Sequence, residues 1–316
     1  QPYMTKPPKT LADEVVKKLL HGLMTNTVSN DLLHLYYRWV DSDKYRGSLE
    51  DYITNFSLSS EADPWEAHHD HCFKDLDNKA IIDITKNLRD NKYVTEKLSL
   101  LKIRANSRKI KRFIPSWLHD VIILIEFDSK PLSLCNTLNK VVEFYTADFA
   151  KVDRAIRNLY AVFLQEESII RPLQEYYESL NHELLHKWFE YSGEYKTDQP
   201  GYLVNLLKKA KPGIAVIVGD GLRYEIADQI AVLLQKKLQI EKHIMLADMP
   251  SETENNMSAL YADKNEIIPN HKDREKSLLS SSGKEITFIN LEDLSYGEKA
   301  DYLVLTYKDI DSTGEK

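Results

Sequence analysis

Three short stretches of the sequence set oxygen-bearing side chains where strands should end. In "VIVGDGLRYE" (216–225), Asp220 sits between Gly219 and Gly221, directly after the apolar run 214–218. An amphipathic segment follows at once. Ligands of open α/β sheets bind beyond the carboxyl ends of the strands, and the glycines let the backbone turn sharply and a ligand approach. The helix N-terminus favours an anion in the same crevice, and a carboxylate facing that crevice usually takes a cation partner, with a divalent metal the obvious one; alternatively, Asp220 is a helix N-cap. "DMPSETENNMSALY" (248–261) brings the hydroxyls of Ser251 and Thr253 to a helix start. There a hydroxyl either caps the helix, its loss costing about 1 kcal/mol, or acts as a nucleophile whose alkoxide a metal stabilises. "YLVLTYKDIDSTGEK" (302–316) ends a strand in Asp309, Asp311 and Glu315. These acids either complete a metal-binding shore or form an acidic turn.

Other stretches have a plainer explanation. His182-Glu183-Leu184-Leu185-His186 matches the zinc-protease pattern H-E-x-x-H literally. It lacks the downstream G-x-x-H continuation, so a surface helix without metal is expected. "EAHHDHCFKD" gathers His68, His69, Asp70, His71 and Cys72. Side chains of these types can bind a metal, but neighbouring side chains point apart on a helix or a strand, so a solvated loop or helix end is expected there rather than a metal site. "KIRANSRKIKR" (102–112, Lys102 to Arg112) is the one dense basic stretch. It is either a solvated helix face or a contact for nucleic-acid phosphates.

The elements that must position these residues change character along the chain. Residues 10–191 have scarcely any glycine and repeat apolar residues at three and four, the helical period. "YSGEYKTDQPG" (191–201) marks a domain boundary. Beyond it "IAVIV", "IEKHIMLA", "EITFIN" and "DYLVLTY" alternate with helical segments, which predicts a parallel sheet covered on both faces. The expected organisation is an all-α region over 1–191 and an α/β domain over 192–316. The 316 residues have 42 % hydrophobic and 29 % charged side chains, enough to bury a core. The net charge of -7 rules out a global field that draws the protein to DNA or membranes. The apolar runs are too short to span a bilayer. The start is no signal peptide and has no initiator Met, as expected for the interior of a longer chain. Two cysteines, Cys72 and Cys135, fit a reducing compartment, and a cytoplasmic location is expected.

Taken together, strand-Asp-Gly, Pro-Ser-x-Thr and strand-Ile-Asp-x-x-Gly resemble the alkaline phosphatase superfamily. More narrowly, "DGLRYE" (220–225), "PSET" (250–253), "MSAL" (257–260) and "IDSTGEK" (310–316) resemble the PglZ proteins of BREX phage-defence systems. "YYRWVDSDKY" and "VDRAIRNLYAVFL" resemble the helical region of the longer, type A members. The resemblance covers most of the chain and is tightest from Gly213 on. It implies an alkaline-phosphatase-like α/β domain, truncated at its C-terminus. It also implies metal-dependent phosphoester or phosphodiester hydrolysis in the cytoplasm, with other BREX subunits such as the methyltransferase as partners. Asp220, Asp311 and Glu315 would be metal ligands, for Zn²⁺ or else Mn²⁺ or Mg²⁺. Thr253 would be the nucleophile with Ser251 as its substitute, and Arg223 would clamp a phosphate oxygen or else pair with Glu225 or Asp228. Asp220, Thr253 and Asp311 should then converge at the carboxyl edge of one sheet. The chain departs from the family where a His-Asn pair usually precedes Ile-Asp and Tyr307, Lys308 and Asp309 stand instead. The superfamily's remaining ligands, in an Asp-His-Gly segment, would lie beyond Lys316, so this chain alone should turn over little. The departures favour the alternative of a degenerate, phosphatase-like scaffold that binds other defence subunits.

Overall fold

A computed structural model of the chain describes residues 8–262 and 267–307. It divides into two compact units, with the boundary in the chain between Phe189 and Glu190.

The first unit is helical: α1 (Pro8–Met24), α2 (Asn30–Val40), α3 (Arg46–Thr54), α4 (Lys74–Lys86), α5 (Asn91–Ala105), α6 (Leu118–Glu126), α7 (Lys130–Ser133), α8 (Leu138–Phe144), α9 (Ala150–Phe163) and α10 (Glu167–Glu190). Local chemistry starts several of them. Ser29 caps α2 by accepting from the Leu32 N–H, Asp90 caps α5 at Tyr93, and Thr137 caps α8 at Lys140. The apolar stripes of α1 to α4 close on one core containing Leu19, Leu20, Leu23, Tyr36, Leu49 and Leu76. Cys72 and Phe73, from the long α3–α4 connection, enter the same core. Burial pushes the Cys72 thiol up to about 12, and Cys135 is buried too. Native protein should therefore leave both thiols unlabelled by a disulfide reagent such as DTNB at pH 8. Two equivalents should appear only with unfolding, followed by absorbance against urea; fast labelling of the native protein would contradict this packing.

The second unit holds α11 (Tyr202–Lys209), β1 (Ile214–Gly219), α12 (Tyr224–Leu234), α13 (Thr253–Tyr261), α14 (His271–Ser282), β2 (Thr287–Asn290) and β3 (Tyr302–Tyr307). The strands form a parallel sheet in the order β1-β3-β2. Ile214 lies opposite Tyr302, Gly219 opposite Tyr307, and Thr287 opposite Leu303. α11, α13 and α14 pack together, and their Leu203, Val204, Leu207, Met257, Tyr261 and Leu278 meet Val218 and Val304 of the sheet. The Gly201 N–H, at the αL start of α11, donates to the Ala259 carbonyl and ties α11 to α13.

Two expectations need correction. The sheet is not covered on both faces at β1: Ala215 is exposed and Ile217 is 60 % exposed. What stands among the described residues is a small three-stranded parallel sheet, coarser than a full alkaline-phosphatase-like domain. "IEKHIMLA" is not a strand. Glu241, Lys242 and His243 break its apolar alternation, leaving no continuous face to bury. Side chains rather than a neighbouring strand take up its backbone: the Tyr195 and Thr197 hydroxyls donate to the Ala247 and Leu246 carbonyls, and the Asp248 N–H donates to Gln199 Oε1.

Candidate functional site

At the carboxyl end of β1 the chain leaves the sheet through Gly219, Asp220 and Gly221. The Asp220 N–H donates to the Tyr307 carbonyl at 3.0 Å, so the β1–β3 ladder extends to the aspartate itself. Gly221 has φ +70°, a left-handed conformation that favours glycine. A Cβ on Gly219 would stand 3.3 Å from Leu222. These two positions account for the glycines without a ligand, and they leave Asp220 half-buried on the rim of the sheet. Asp220 is not the helix N-cap. That position belongs to Arg223, extended at φ −72° and ψ 153°, which makes no side-chain cap bond. Arg223 is exposed, while Asp228 pairs with Lys242.

Thr253 opens α13 and is exposed, but Glu252 occupies the N-cap. The capping role expected of Thr253 is therefore corrected. Ser251 accepts from Asn256 Nδ2 at 3.4 Å. Met257, one turn after Thr253, shares a core with Val218, two residues before Asp220. No hydrogen bond or ion pair joins Asp220, Arg223, Ser251 and Thr253 to one another among the described residues. Asp309, Asp311 and Glu315 lie outside the described residues.

The helical unit holds chemistry that sequence spacing ranked low. The α3–α4 connection is neither helix nor strand over residues 55–73, so the rule that neighbours point apart does not apply to it. His68 and His69 stack with ring centroids 4.4 Å apart. Asp70, His71 and Cys72 are buried, not solvated. Buried beside them, Arg104 holds Asp77 through two 2.7 Å bonds, from Nε and Nη2. Its Nη1 donates to the carbonyls of His69 and His71. Desolvation raises the Asp77 carboxyl pKa, against the lowering effect of Arg104. Burial, helped by the Arg104 charge, holds His71 well below the ordinary imidazole range, so His71 is neutral.

Half of the six basic residues in the stretch 102–112 make ion pairs within the fold. Lys102 pairs with Glu126, Arg104 with Asp77, and Arg112 reaches Glu50 at 3.6 Å. Of these only Arg104 is buried and so withdrawn from a surface contact. His182 and His186 are exposed on α10. Among the described residues, the group of three metal-capable side chains whose ligand atoms close within 4.8 Å is His68, His69 and Asp70. No helix is long and apolar enough to cross a membrane among the described residues.

Comparison of the chain with protein-family models, with curated proteins and with solved structures finds no match.

Proposed function

We propose that the second unit contributes to a metal-dependent phosphoester or phosphodiester hydrolase of the PglZ kind, acting in BREX defence. The observation that carries this reading is the β1 edge: a parallel strand delivers Asp220 through a Gly-Asp-Gly turn to the sheet rim, beside the end of β3. Asp220 would be a ligand to Zn²⁺, Mn²⁺ or Mg²⁺, with Asp311 and Glu315 as the further ligands of this chain. Such a metal would polarise the phosphoryl oxygens and stabilise the attacking alkoxide. Thr253, exposed at a helix start, would supply that alkoxide, with Ser251 as its substitute. Arg223, exposed and extended just ahead of α12, would hold a phosphate oxygen.

The test is hydrolysis of bis(p-nitrophenyl) phosphate with Zn²⁺, Mn²⁺ or Mg²⁺ titrated. It compares this chain with a longer one that carries an Asp-His-Gly segment beyond Lys316. The longer chain should turn over, this chain should not, and Asp220→Asn in the longer chain should need more metal for the same rate. A longer chain inert with all three metals would leave the second reading, a scaffold that binds other BREX subunits such as the methyltransferase. That reading has its own support in exposed apolar side chains on and beside α12, among them Ile230, Val232, Leu233 and Leu238.

A further inference from the structure

We propose that His68, His69 and Asp70 form a binding site for a divalent transition metal, of the zinc or cobalt class, on the α3–α4 connection of the helical unit.

Three observations meet there. The first is proximity: one ligand atom from each of the three side chains lies within 4.8 Å of the others. Tetrahedral zinc needs its ligand atoms roughly 3.3 Å apart, as metal–ligand distances near 2.0–2.1 Å dictate. Small rotations of two rings out of their stack therefore close the site. His68 Nδ1 now accepts the Asp70 N–H at 3.1 Å, and the metal takes that lone pair or turns the ring to its other nitrogen.

The second is charge. Asp70 is 4 % exposed and Asp77 5 % exposed, so both carboxylates are shut away from water. The Arg104 fork is spent on Asp77. Asp70 accepts from the Tyr37 hydroxyl at 2.5 Å and from the Ser107 hydroxyl, and His69 Nε2 stands 3.8 Å from its Oδ1. A buried carboxylate without a permanently charged partner is costly, and a divalent ion held between His69 and Asp70 supplies that charge. The same two hydroxyls are the outer-shell donors that orient a ligating carboxylate.

The third is rigidity. The connection is pinned at both sides of the cluster. His68 N–H donates to the Leu23 carbonyl, Trp65 Nε1 donates to Asp83, and Lys79 reaches the carbonyls of Ser60 and Ala62. Cys72 and Phe73 anchor the far end in the core. The ligands are thus held ready, which lowers the entropy lost on binding. Two imidazoles and one carboxylate suit zinc-class ions over magnesium or calcium, which prefer oxygen. Half-buried His68 and exposed His69 give the ion a path in, and three protein ligands leave a fourth position for water.

The test uses chelator-treated protein carrying His182→Ala and His186→Ala, which removes the other histidine pair. Cobalt(II) titration should give one equivalent with a visible d–d band, and zinc should displace it. His69→Ala should weaken binding by at least about 100-fold, more than an outer-shell loss would. His69 is exposed, so this variant should fold as the parent does. Asp70→Asn should act alike, and Asp220→Asn should leave the band unchanged. Three results would overturn the site: no cobalt band, an undiminished band in His69→Ala, or loss of the band in Asp220→Asn. A direct His69–Asp70 contact, 3.8 Å between Nε2 and Oδ1, that holds without any metal would give the first of these.

Discussion

Arg104→Met is expected to destabilise the helical unit by about 3–5 kcal/mol, the cost of stranding one member of a buried ion pair. The Arg104 and Asp77 side chains are 8 % and 7 % exposed, so water cannot take over the pairing. The guanidinium also bridges two segments: it holds Asp77 of α4 and the His69 and His71 carbonyls of the connection that precedes it. Losing it leaves a buried carboxylate and the carbonyls of His69, His71 and Phe113 without this donor. In a unit of this size that lowers Tm by roughly 10 °C. Arg104→Lys should recover only part, because an ammonium cannot serve both Asp77 oxygens and the carbonyls at once. Replacing both partners, Arg104→Met with Asp77→Leu, should be far milder than either single change, since no buried charge is then left alone. Urea denaturation of the four proteins measures the coupling. A loss below about 1 kcal/mol in Arg104→Met would mean that the pair is solvated and organises nothing.

Thr253→Ala is expected to abolish phosphodiester hydrolysis by the longer chain, with a fall of about 10³-fold or more, while leaving stability within about 0.5 kcal/mol. The stability half follows from the structure. Thr253 is the first residue of α13 and exposed, and Glu252 holds the N-cap position. Removing the hydroxyl therefore takes away neither a cap nor a core contact. The activity half rests on the proposed role of the hydroxyl as nucleophile, after whose loss only metal-activated water could attack. Because the fold is indifferent to this side chain, a large kinetic loss has no trivial explanation. Measuring kcat beside the urea midpoint separates the two effects. Full activity in Thr253→Ala would move the nucleophile to Ser251 or to metal-activated water.

Much of the fold is legible along the chain because helix and strand periods are local. The scarcity of glycine and the three-four apolar spacing over residues 10–191 mark helices, and α1 to α10 are there. "IAVIV", "EITFIN" and "DYLVLTY" mark strands because they are short apolar runs bounded by turn residues, and β1, β2 and β3 occupy them in parallel. The Gly-Asp-Gly turn is likewise a local device: a left-handed backbone at Gly221 needs glycine whatever surrounds it. "IEKHIMLA" was illegible because a strand needs a partner as well as a pattern. Its backbone found the side chains of Tyr195, Thr197 and Gln199, some 50 residues earlier in the chain, instead. Helix caps proved equally contextual, since Arg223 and Glu252, not Asp220 and Thr253, stand at the N-caps. The His68–Cys72 cluster shows the limit most clearly. Residue spacing implies divergent, solvated side chains, as on a helix or strand. The tertiary structure instead draws an irregular connection into the core, stacks His68 on His69 and buries Asp70 against Tyr37 and Ser107. Those partners come from residues 33 and 37 positions away, and no local pattern encodes a contact that only chain closure creates.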